Sequence, residues 1–308
     1  MNLSGTIDSG TDSGTNHSGI ALRGIAKSFA AKRVLVDVTA TLPFGRVYGL
    51  LGANGVGKTT LMALIAGHLR ADRGEALLDG GAAWNDGATA RRTCLIREDQ
   101  VYPTGSIAKS LRVMGAVADG WDEPIAERLL SRFGLPLAAE VHKLSRGERS
   151  AVNFCLAVAS GAPYTFLDEP TLGMDASFRD VLYEELIAAA DGSRTFMLST
   201  HLVDEVTPII EDVLLLAEGQ IVLYADAEQA AHEGFTLRGS EPAVRGIAGA
   251  RPFLTMSRLG ATVRATVLGR VAHDDLTKAA DIGVVLEPLS LQDFVSAYGT
   301  AAREGVVR

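Results

Sequence analysis

The sequence predicts an α/β fold in which a mostly parallel β-sheet is covered by helices. Between residues 34 and 209, short apolar runs typical of buried strands alternate with longer segments of helical periodicity. A glycine-rich turn joins one of these strands to the next helix at 52–60, and the alternation becomes less regular after about residue 225. These observations predict a large α/β domain at 19–225 and a smaller region at 226–308.

The predicted elements of the large domain follow one another in a regular order. Strands are expected at 34–42, 46–52, 164–168 and 195–200. Helices are expected at 57–69, near 107–118 and 124–133, at about 148–160 and 176–190, and near 202–209. Alternate residues of the first strand are apolar, which predicts one shared face for Val34, Val36, Val38, Ala40 and Leu42.

The two ends of the chain depart from this pattern. Residues 1–18 are mostly Gly, Ser, Thr, Asp and Asn, which predicts a disordered tail. Near the other end, ATVRATVLG (261–269) alternates like an exposed strand. IGVVLEPLSLQDFVSAYG (282–299) predicts a strand, a break at Pro288 and a helix capped by Ser290, with Asp293 three residues on. The region 226–308 is therefore expected to form a small α+β appendage.

Composition and charge disfavour several classes of protein. The 308 residues are 47% hydrophobic, and 29 basic against 37 acidic residues leave a net charge of −8, which opposes wrapping of nucleic acid. Cys94 and Cys155 lie apart in apolar surroundings, so we expect reduced core thiols and a cytosolic protein. The uncharged run 150–167 has about the minimum length of a membrane helix, but Asn153 and the SGAP turn favour a buried helix followed by a strand.

GANGVGKTT (52–60) fits the pattern G-x-x-x-x-G-K-[ST] between a predicted strand and a predicted helix, the context which that pattern requires. Its glycines let backbone N–H groups converge on phosphate oxygens at the positive end of a helix dipole. Lys58 can reach the β- and γ-phosphates, and the Thr59 hydroxyl can ligate Mg²⁺. The alternative is a glycine-rich turn that merely precedes a helix. The expected phosphate-binding residues are Gly52, Ala53, Asn54, Gly55, Val56, Gly57, Lys58, Thr59 and Thr60.

YTFLDEP (164–170) favours hydrolysis over other phosphate chemistry. Asp168 ends a buried strand, where a partner for Mg²⁺ belongs, and Glu169 is placed to polarise a water for in-line attack on the γ-phosphate. A kinase has no use for a base aimed at water, and the guanine-reading motif N-K-x-D of GTPases is missing from the sequence. The alternative is a solvated acidic pair in a loop.

Three more motifs complete an ordered set: KLSRGERS (143–150), TLGMD (171–175) and STHLVDEV (199–206). With them, residues 20–225 resemble the ATP-binding subunit of an ABC transporter. The resemblance implies a P-loop ABC ATPase cassette at 19–225 with a helical subdomain at about 100–160. GWDEPIAERLLSRFGLP (120–136) is most similar to the bacterial exporter branch, and LEPLSLQDFVSAYG (286–299) is similar to the closing helix of single-cassette exporter ATPases.

The resemblance also implies roles for residues outside the phosphate loop. Phe29 matches the aromatic residue that stacks on adenine, although it could be an ordinary core phenylalanine. His201 matches the histidine that bonds the γ-phosphate, although a histidine after a strand is more often a polar cap residue. In the signature, Ser145 and Gly147 match residues that contact the γ-phosphate bound to the other subunit, and Glu148 beside them is a further implied contact. In the D-loop, Asp175 is the implied nucleotide contact.

Several positions depart from the family pattern. Arg146 replaces the second signature glycine, Glu148 replaces the signature glutamine, and Met174 stands where leucine is usual. Spacing puts Glu98 at the position of the catalytic glutamine that lies near Mg²⁺ and the attacking water, in the loop that touches the permease. Gln100, two residues on, is the alternative for that role.

One phosphate loop and one signature cannot complete the family's site, which takes each from a different subunit. The resemblance therefore implies ATP-dependent dimerisation with a second copy or a paralogous cassette, with ATP and Mg²⁺ as ligands. It implies a separate membrane permease, with export favoured, and a cytoplasmic location, peripheral on the inner face of the membrane, without nucleic acid as a partner. The alternatives are a soluble ABC ATPase with a nucleic-acid or ribosome partner, and a P-loop nucleotide kinase.

Overall fold

The computed structural model describes residues 19–97 and 105–307, so the tail predicted at 1–18 lies outside the described residues. The strands are β1 (Ile20–Phe29), β2 (Lys32–Leu42), β3 (Val47–Leu51), β4 (Arg73–Leu78), β5 (Gly81–Ala82), β6 (Thr93–Ile96), β7 (Tyr164–Asp168), β8 (Thr195–Thr200), β9 (Asp212–Ala217), β10 (Gln220–Asp226), β11 (Gly234–Gly239), β12 (Phe253–Leu259), β13 (Thr262–Leu268) and β14 (Val285–Pro288). The helices are α1 (Lys58–Ile65), α2 (Gly87–Ala90), α3 (Ile107–Val117), α4 (Glu123–Arg132), α5 (Arg146–Ala159), α6 (Ala176–Ala189), α7 (Val203–Val206), α8 (Ala227–His232), α9 (Glu241–Ala248), α10 (His273–Asp281) and α11 (Leu291–Arg303).

The central sheet has the strand order β10-β9-β3-β8-β7-β6. Neighbouring strands from β9 to β6 pair in parallel, and β10 pairs with β9 antiparallel. Every residue of β3, β7, β8 and β9 is buried, as expected for parallel strands covered on both faces. The predicted α/β class is confirmed. Because parallel strands end at the same edge, the segments after β3, β7 and β8 meet there.

Most predicted elements are confirmed, but two helices are shorter than expected. The helix predicted at 57–69 ends at Ile65, because Gly67 takes φ +75° and the His68 N–H bonds the Ala63 carbonyl at 2.9 Å, which is a Schellman motif. The helix predicted near 202–209 is the single turn α7. Pro208 explains this end, because it follows the C-cap residue Thr207 and has no N–H to continue the hydrogen bonds of the helix.

A second, antiparallel sheet has the order β2-β1-β4-β5 and lies at the start of the cassette. Its strand β2 does not keep one apolar face. The register with β1 shifts at Asp37, which has φ +55°, so that Leu35 and Val38 are buried while Val34 and Val36 are half-buried. The single-face prediction is wrong here, because one extra residue in a β-bulge exchanges the two faces of the strand.

Helices α3, α4 and α5 pack together beside the central sheet and share a core with it. This is where the helical subdomain was expected. Cys94 on β6 and Cys155 on α5 are buried free thiols, in agreement with their prediction as core residues. The uncharged run 150–167 is the end of α5, a turn and β7, also as predicted. Among the described helices, none combines the length and apolar character needed to cross a bilayer.

The C-terminal region contains a sheet of its own, with the order β12-β13-β11-β14. Its element order β11-α9-β12-β13-α10-β14 and antiparallel pairing are those of a ferredoxin-like unit. The segment 261–269, expected to be an exposed strand, is the interior strand β13, and it buries Val263, Ala265 and Val267 against α9 and α10. The expectation was wrong because alternation of apolar and polar residues predicts one apolar face, but it does not show whether the strand lies at the edge or in the interior of its sheet.

The last helix, α11, packs onto the cassette. Ser290 caps it as predicted, accepting a hydrogen bond of 3.0 Å from the Asp293 N–H. Phe294 and Tyr298 are buried in the same core as Val206, which follows the end of β8. The C-terminal region is therefore in direct contact with the edge of the sheet where the phosphate loop lies.

Candidate nucleotide-binding site

The loop 52–57 connects the end of β3 to the start of α1. Gly52 has φ +149°, and a Cβ there would lie 2.4 Å from the Leu216 carbonyl oxygen. Gly57, the N-cap residue of α1, has φ +118°, and a Cβ would lie 3.0 Å from Leu35 Cδ2. Both positions therefore need glycine for conformation and for space. No side chain caps α1, so its first N–H groups are available to an anion.

Lys58 is directed back over this loop. Its Nζ donates a hydrogen bond of 2.9 Å to the Gly52 carbonyl, and the side chain is 6% exposed. The same Nζ lies 3.5 Å from Oε1 of Glu169. The ammonium group of Lys58 is therefore buried between the loop and the end of β7. Phosphate oxygens bound in the loop would need a cation at this place.

Thr59 and Asp168 meet across the sheet edge. The Thr59 hydroxyl donates a hydrogen bond of 2.6 Å to Asp168 Oδ2, and the Ser199 hydroxyl donates to Oδ1. Such a hydroxyl and carboxylate pair suits Mg²⁺, which takes few protein oxygens and completes its shell with water and phosphate oxygens. No cluster of three or more His, Cys, Asp or Glu suited to a metal occurs in the described chain.

Glu169 lies between Lys58 and His201. His201 Nδ1 is 3.1 Å from both carboxylate oxygens of Glu169. The Glu169 N–H bonds the Ser199 carbonyl and hydroxyl oxygens, each at 3.1 Å, and the residue takes φ +48°. A non-glycine residue at positive φ costs about 1–3 kcal/mol, so the surrounding contacts must hold this conformation. The alternative that these two residues form a solvated acidic pair in a loop is wrong, because Asp168 is buried and the Glu169 side chain is only 12% exposed.

The signature residues begin helix α5. Ser145 is its N-cap and forms a capping box with Glu148, whose carboxylate accepts a bond of 2.7 Å from the Ser145 N–H. This bond holds the pKa of Glu148 below its usual range. Gly147 packs on the following loop, where a Cβ would lie 2.4 Å from the Gly173 carbonyl oxygen. These contacts are within the helical layer and not with residues 52–60.

Asp175 and Phe29 have simpler surroundings. Asp175 is the N-cap of α6, accepting a bond of 3.0 Å from the Phe178 N–H, and this bond is the main reason that its pKa is lowered. Phe29 ends β1 and is 49% exposed, so the ordinary core alternative is wrong. Lys27 Nζ lies 5.6 Å from the centre of the Phe29 ring. Glu98 and Gln100 lie outside the described residues.

Sequence reasoning missed two features of this site. Ser199 binds both the Asp168 carboxylate and the Glu169 N–H, and its position two residues before His201 was the available signal. The second feature is a cavity of about 420 Å³ between the loop 52–56, His201 and helix α11, including Gln292 and Arg303. No signal in the sequence predicted that α11 would lie there, because this depends on the packing of the C-terminal region.

The parallel sheet, the loop between β3 and α1, and the carboxylates at the end of β7 define a P-loop protein that binds a nucleoside triphosphate. Residues 35–172 match the family model described as ABC transporter. This match shows an ABC transporter ATPase domain over residues 35–172, of the family whose members hydrolyse ATP to power transport, and the relatives and the solved structure below are ATP-binding proteins of such transporters.

Relatives and a solved structure agree with this assignment. The ABC transporter ATP-binding protein YtrB of Bacillus subtilis strain 168 is 26% identical over 216 residues, which cover 70% of this chain and 74% of YtrB. The ribose import ATP-binding protein RbsA of Chromobacterium violaceum is 28% identical over 216 residues, covering 66% of this chain and 43% of RbsA. A solved ATP-binding subunit of an ABC transporter has a TM-score of 0.62 and 25% identity, covering 68% of this chain and 91% of that one.

Proposed function

We propose that this chain binds ATP with Mg²⁺ at residues 52–60, hydrolyses it in a dimer, and powers a separate membrane permease. The observation that carries the proposal is the position of Glu169, whose carboxylate lies 3.5 Å from Lys58 Nζ and 3.1 Å from His201 Nδ1. This places one carboxylate between the cation that would bind phosphate and the histidine that would bond it.

Each side chain then has one task in hydrolysis. Lys58 binds the β- and γ-phosphates, and Thr59 with Asp168 holds Mg²⁺, which neutralises charge that develops on the phosphate oxygens. Glu169 accepts a proton from the attacking water. His201 bonds the γ-phosphate and is oriented by its contact with Glu169. The half-exposed ring of Phe29 is available to stack on adenine.

The dimer is proposed because the chain supplies half of each site. The N-terminus of α5, with Ser145 and Gly147, makes its described contacts with Glu148 and Gly173 and not with the chain's own phosphate loop. A helix N-terminus is a suitable anion site, so we assign it, with Glu148 and Asp175, to the nucleotide on the other subunit. That subunit is a second copy of this chain or a paralogous cassette.

The transport part of the proposal concerns location and direction. ABC ATPase subunits work with membrane permeases, and we place this one on the cytoplasmic face, with Glu98 in the loop that touches the permease. Export is favoured by the segment 120–136, which forms α4 and its flanking turns. The import function in the name of RbsA belongs to that relative, so direction needs its own measurement.

Three measurements test the proposed function. Phosphate release by the purified full chain should require Mg²⁺ and be lost in Lys58→Ala, and no other acceptor should become phosphorylated. The epitope-tagged chain, recovered from solubilised membranes of cells that express it naturally, should bring with it a protein with several membrane-spanning helices. Recovery with ribosomal or DNA-binding proteins instead would contradict the transport assignment. Uptake of cargo into inside-out vesicles would establish export.

A further inference from the structure

Helix α11 connects the C-terminal region to the loop that carries His201. Its buried face, which includes Phe294, Val295 and Tyr298, shares a hydrophobic core with Val206, the last residue of α7, and with Ile209 shortly after it. On the other side, Gly234 of the C-terminal sheet lies against Phe294, where a Cβ would be 2.9 Å from the ring. The helix is therefore held between the C-terminal sheet and the end of strand β8.

One side chain of α11 bonds the backbone of this loop. Gln292 Oε1 accepts a hydrogen bond of 2.7 Å from the Val203 N–H, across 89 residues of sequence. Val203 is the first residue of α7, and Leu202 at the N-cap position makes no side-chain capping bond. The first N–H groups of a helix have no partner within it, so Gln292 serves as the missing cap from a distant helix.

This bond lies two residues from His201. The backbone between β8 and α7 is held at two points, because the Leu202 N–H bonds Thr200 Oγ1 at 3.0 Å and the Val203 N–H bonds Gln292. The side chain of His201 then reaches Glu169. Since α7 is a single turn, it has little stability of its own, and the outside bond from α11 matters more than it would for a long helix.

We propose that Gln292 is a positioning residue: it holds His201 in place for ATP hydrolysis and so makes the reaction depend on how α11 is seated. The inference rests on the proposed role of His201. The described hydrogen bond of Gln292 is to the backbone of Val203, so we assign its effect to the position of the histidine. A misplacement of about 1 Å in a catalytic group can slow a reaction by about 10²-fold. Because the C-terminal sheet packs on α11, a shift of that sheet would change the position of the loop that carries His201.

The experiment compares two substitutions at the same site in the full chain. Gln292→Met keeps the length and bulk of the side chain but removes the acceptor, whereas Gln292→Glu keeps an oxygen that can accept the Val203 N–H. We expect Gln292→Met to lower kcat about tenfold or more while the KM for ATP stays within about twofold. Gln292→Glu should retain most of the wild-type kcat. Gln229→Met, on the exposed side of α8, is the matched control and should behave as wild type.

A second readout separates positioning from general destabilisation. Hydrogen exchange at the Val203 amide should quicken in Gln292→Met and not in Gln292→Glu, while the melting temperatures of both stay close to that of the control. Equal losses of kcat in both variants, or a wild-type kcat in Gln292→Met beside an inactive His201→Ala, would overturn the inference and leave the proposed function standing. Normal hydrolysis by His201→Ala would overturn the role of the histidine and the inference with it.

Discussion

Lys58 and Glu169 form an ion pair in which Nζ and Oε1 are 3.5 Å apart, although both residues are proposed to act on the same phosphate. A γ-phosphate would compete with the carboxylate for this ammonium group, and its arrival would free Glu169 to face a water. On the proposed mechanism, the contact would therefore hold the base in an ion pair that substrate binding breaks. It also determines what a neutral replacement of Glu169 should do.

Replacing Glu169 by Gln should separate nucleotide binding from hydrolysis. The amide cannot accept a proton from water, so turnover should fall by about 10²-fold or more. Binding of ATP should be retained, because Lys58 no longer has a competing carboxylate. Phosphate release and equilibrium binding of ATP measure the two effects, and light scattering should detect a dimer that persists with ATP. Glu75→Gln, at an exposed carboxylate on β4, is the control, and near-normal hydrolysis by Glu169→Gln would remove Glu169 from its role.

Mixing two inactive variants should restore activity if the site is composite. Loss of one preorganised phosphate donor costs about 3 kcal/mol in the transition state, so Ser145→Arg and Lys58→Ala should each be inactive alone. A mixed dimer holds one site with an intact loop and an intact signature, so activity should reappear and peak near equal amounts of the two variants. Full activity of the wild type at concentrations where it is demonstrably monomeric would contradict the composite site.

Gly147→Ala should damage the signature without disturbing the phosphate loop. A Cβ at Gly147 would lie 2.4 Å from the Gly173 carbonyl oxygen and 3.1 Å from Met174 Cα, so the start of α5 must move. We expect a lower melting temperature and loss of hydrolysis, with ATP binding by the monomer retained. Gly246→Ala in α9 is the matched control, because its Cβ meets no atom within 4 Å and alanine favours a helix by about 1 kcal/mol. Wild-type hydrolysis by Gly147→Ala would show that α5 need not approach a nucleotide.

Glu98 and Gln100 can be distinguished by parallel substitutions to alanine. A carboxylate at the glutamine position can ligate Mg²⁺ and accept a hydrogen bond but cannot donate one, so Glu98→Ala should change the Mg²⁺ dependence of turnover, whereas Glu98→Gln should preserve hydrolysis. In Glu98→Ala, the rate of transport should decrease more than the affinity for ATP. The assay is phosphate release against Mg²⁺ concentration for both alanine variants, and a large loss confined to Gln100→Ala would assign the role to Gln100.

How far the sequence predicted the site depends on how local each interaction is. The loop 52–60 was recognised because its glycines, lysine and threonine are contiguous, and its meeting with Asp168 followed from parallel strands ending at one edge. The contact of Gln292 with Val203 could not be predicted, because it depends on where the C-terminal region seats α11. The bulge at Asp37 was missed for a different reason: one added residue reverses the faces of a strand without breaking its apolar pattern.

Asp212 should make the stability of the fold depend on pH. This residue begins β9, and its side chain is 5% exposed, 2.9 Å from Arg46 Nε. Burial raises its pKa from 3.8 to about 6, with added repulsion from Asp226 and Glu211, and Arg46 offsets only part of the shift. Because the pKa in the folded state is the higher one, the folded state binds the proton more tightly than the unfolded chain does. The stability linked to this proton is present below about pH 4 and is lost as pH rises through about 6.

Asp212→Asn removes this titration. Relative to the wild type, its free energy of unfolding should rise by about 2 kcal/mol between pH 4 and pH 8, since each unit of pKa shift is worth about 1.4 kcal/mol and part of the linked titration lies below pH 4. The measurement is urea unfolding of both proteins across that range. Only the difference between the two is used, so that carboxyl groups distant from Asp212, which titrate equally in both, cancel. Asp191→Asn changes an exposed loop carboxylate whose pKa is lowered by a hydrogen bond from Ser193. Its free energy of unfolding, relative to the wild type, should not rise between pH 4 and pH 8 and should change, if at all, in the opposite direction. A difference between Asp212→Asn and the wild type that stays constant with pH would show that folding does not raise the pKa of Asp212.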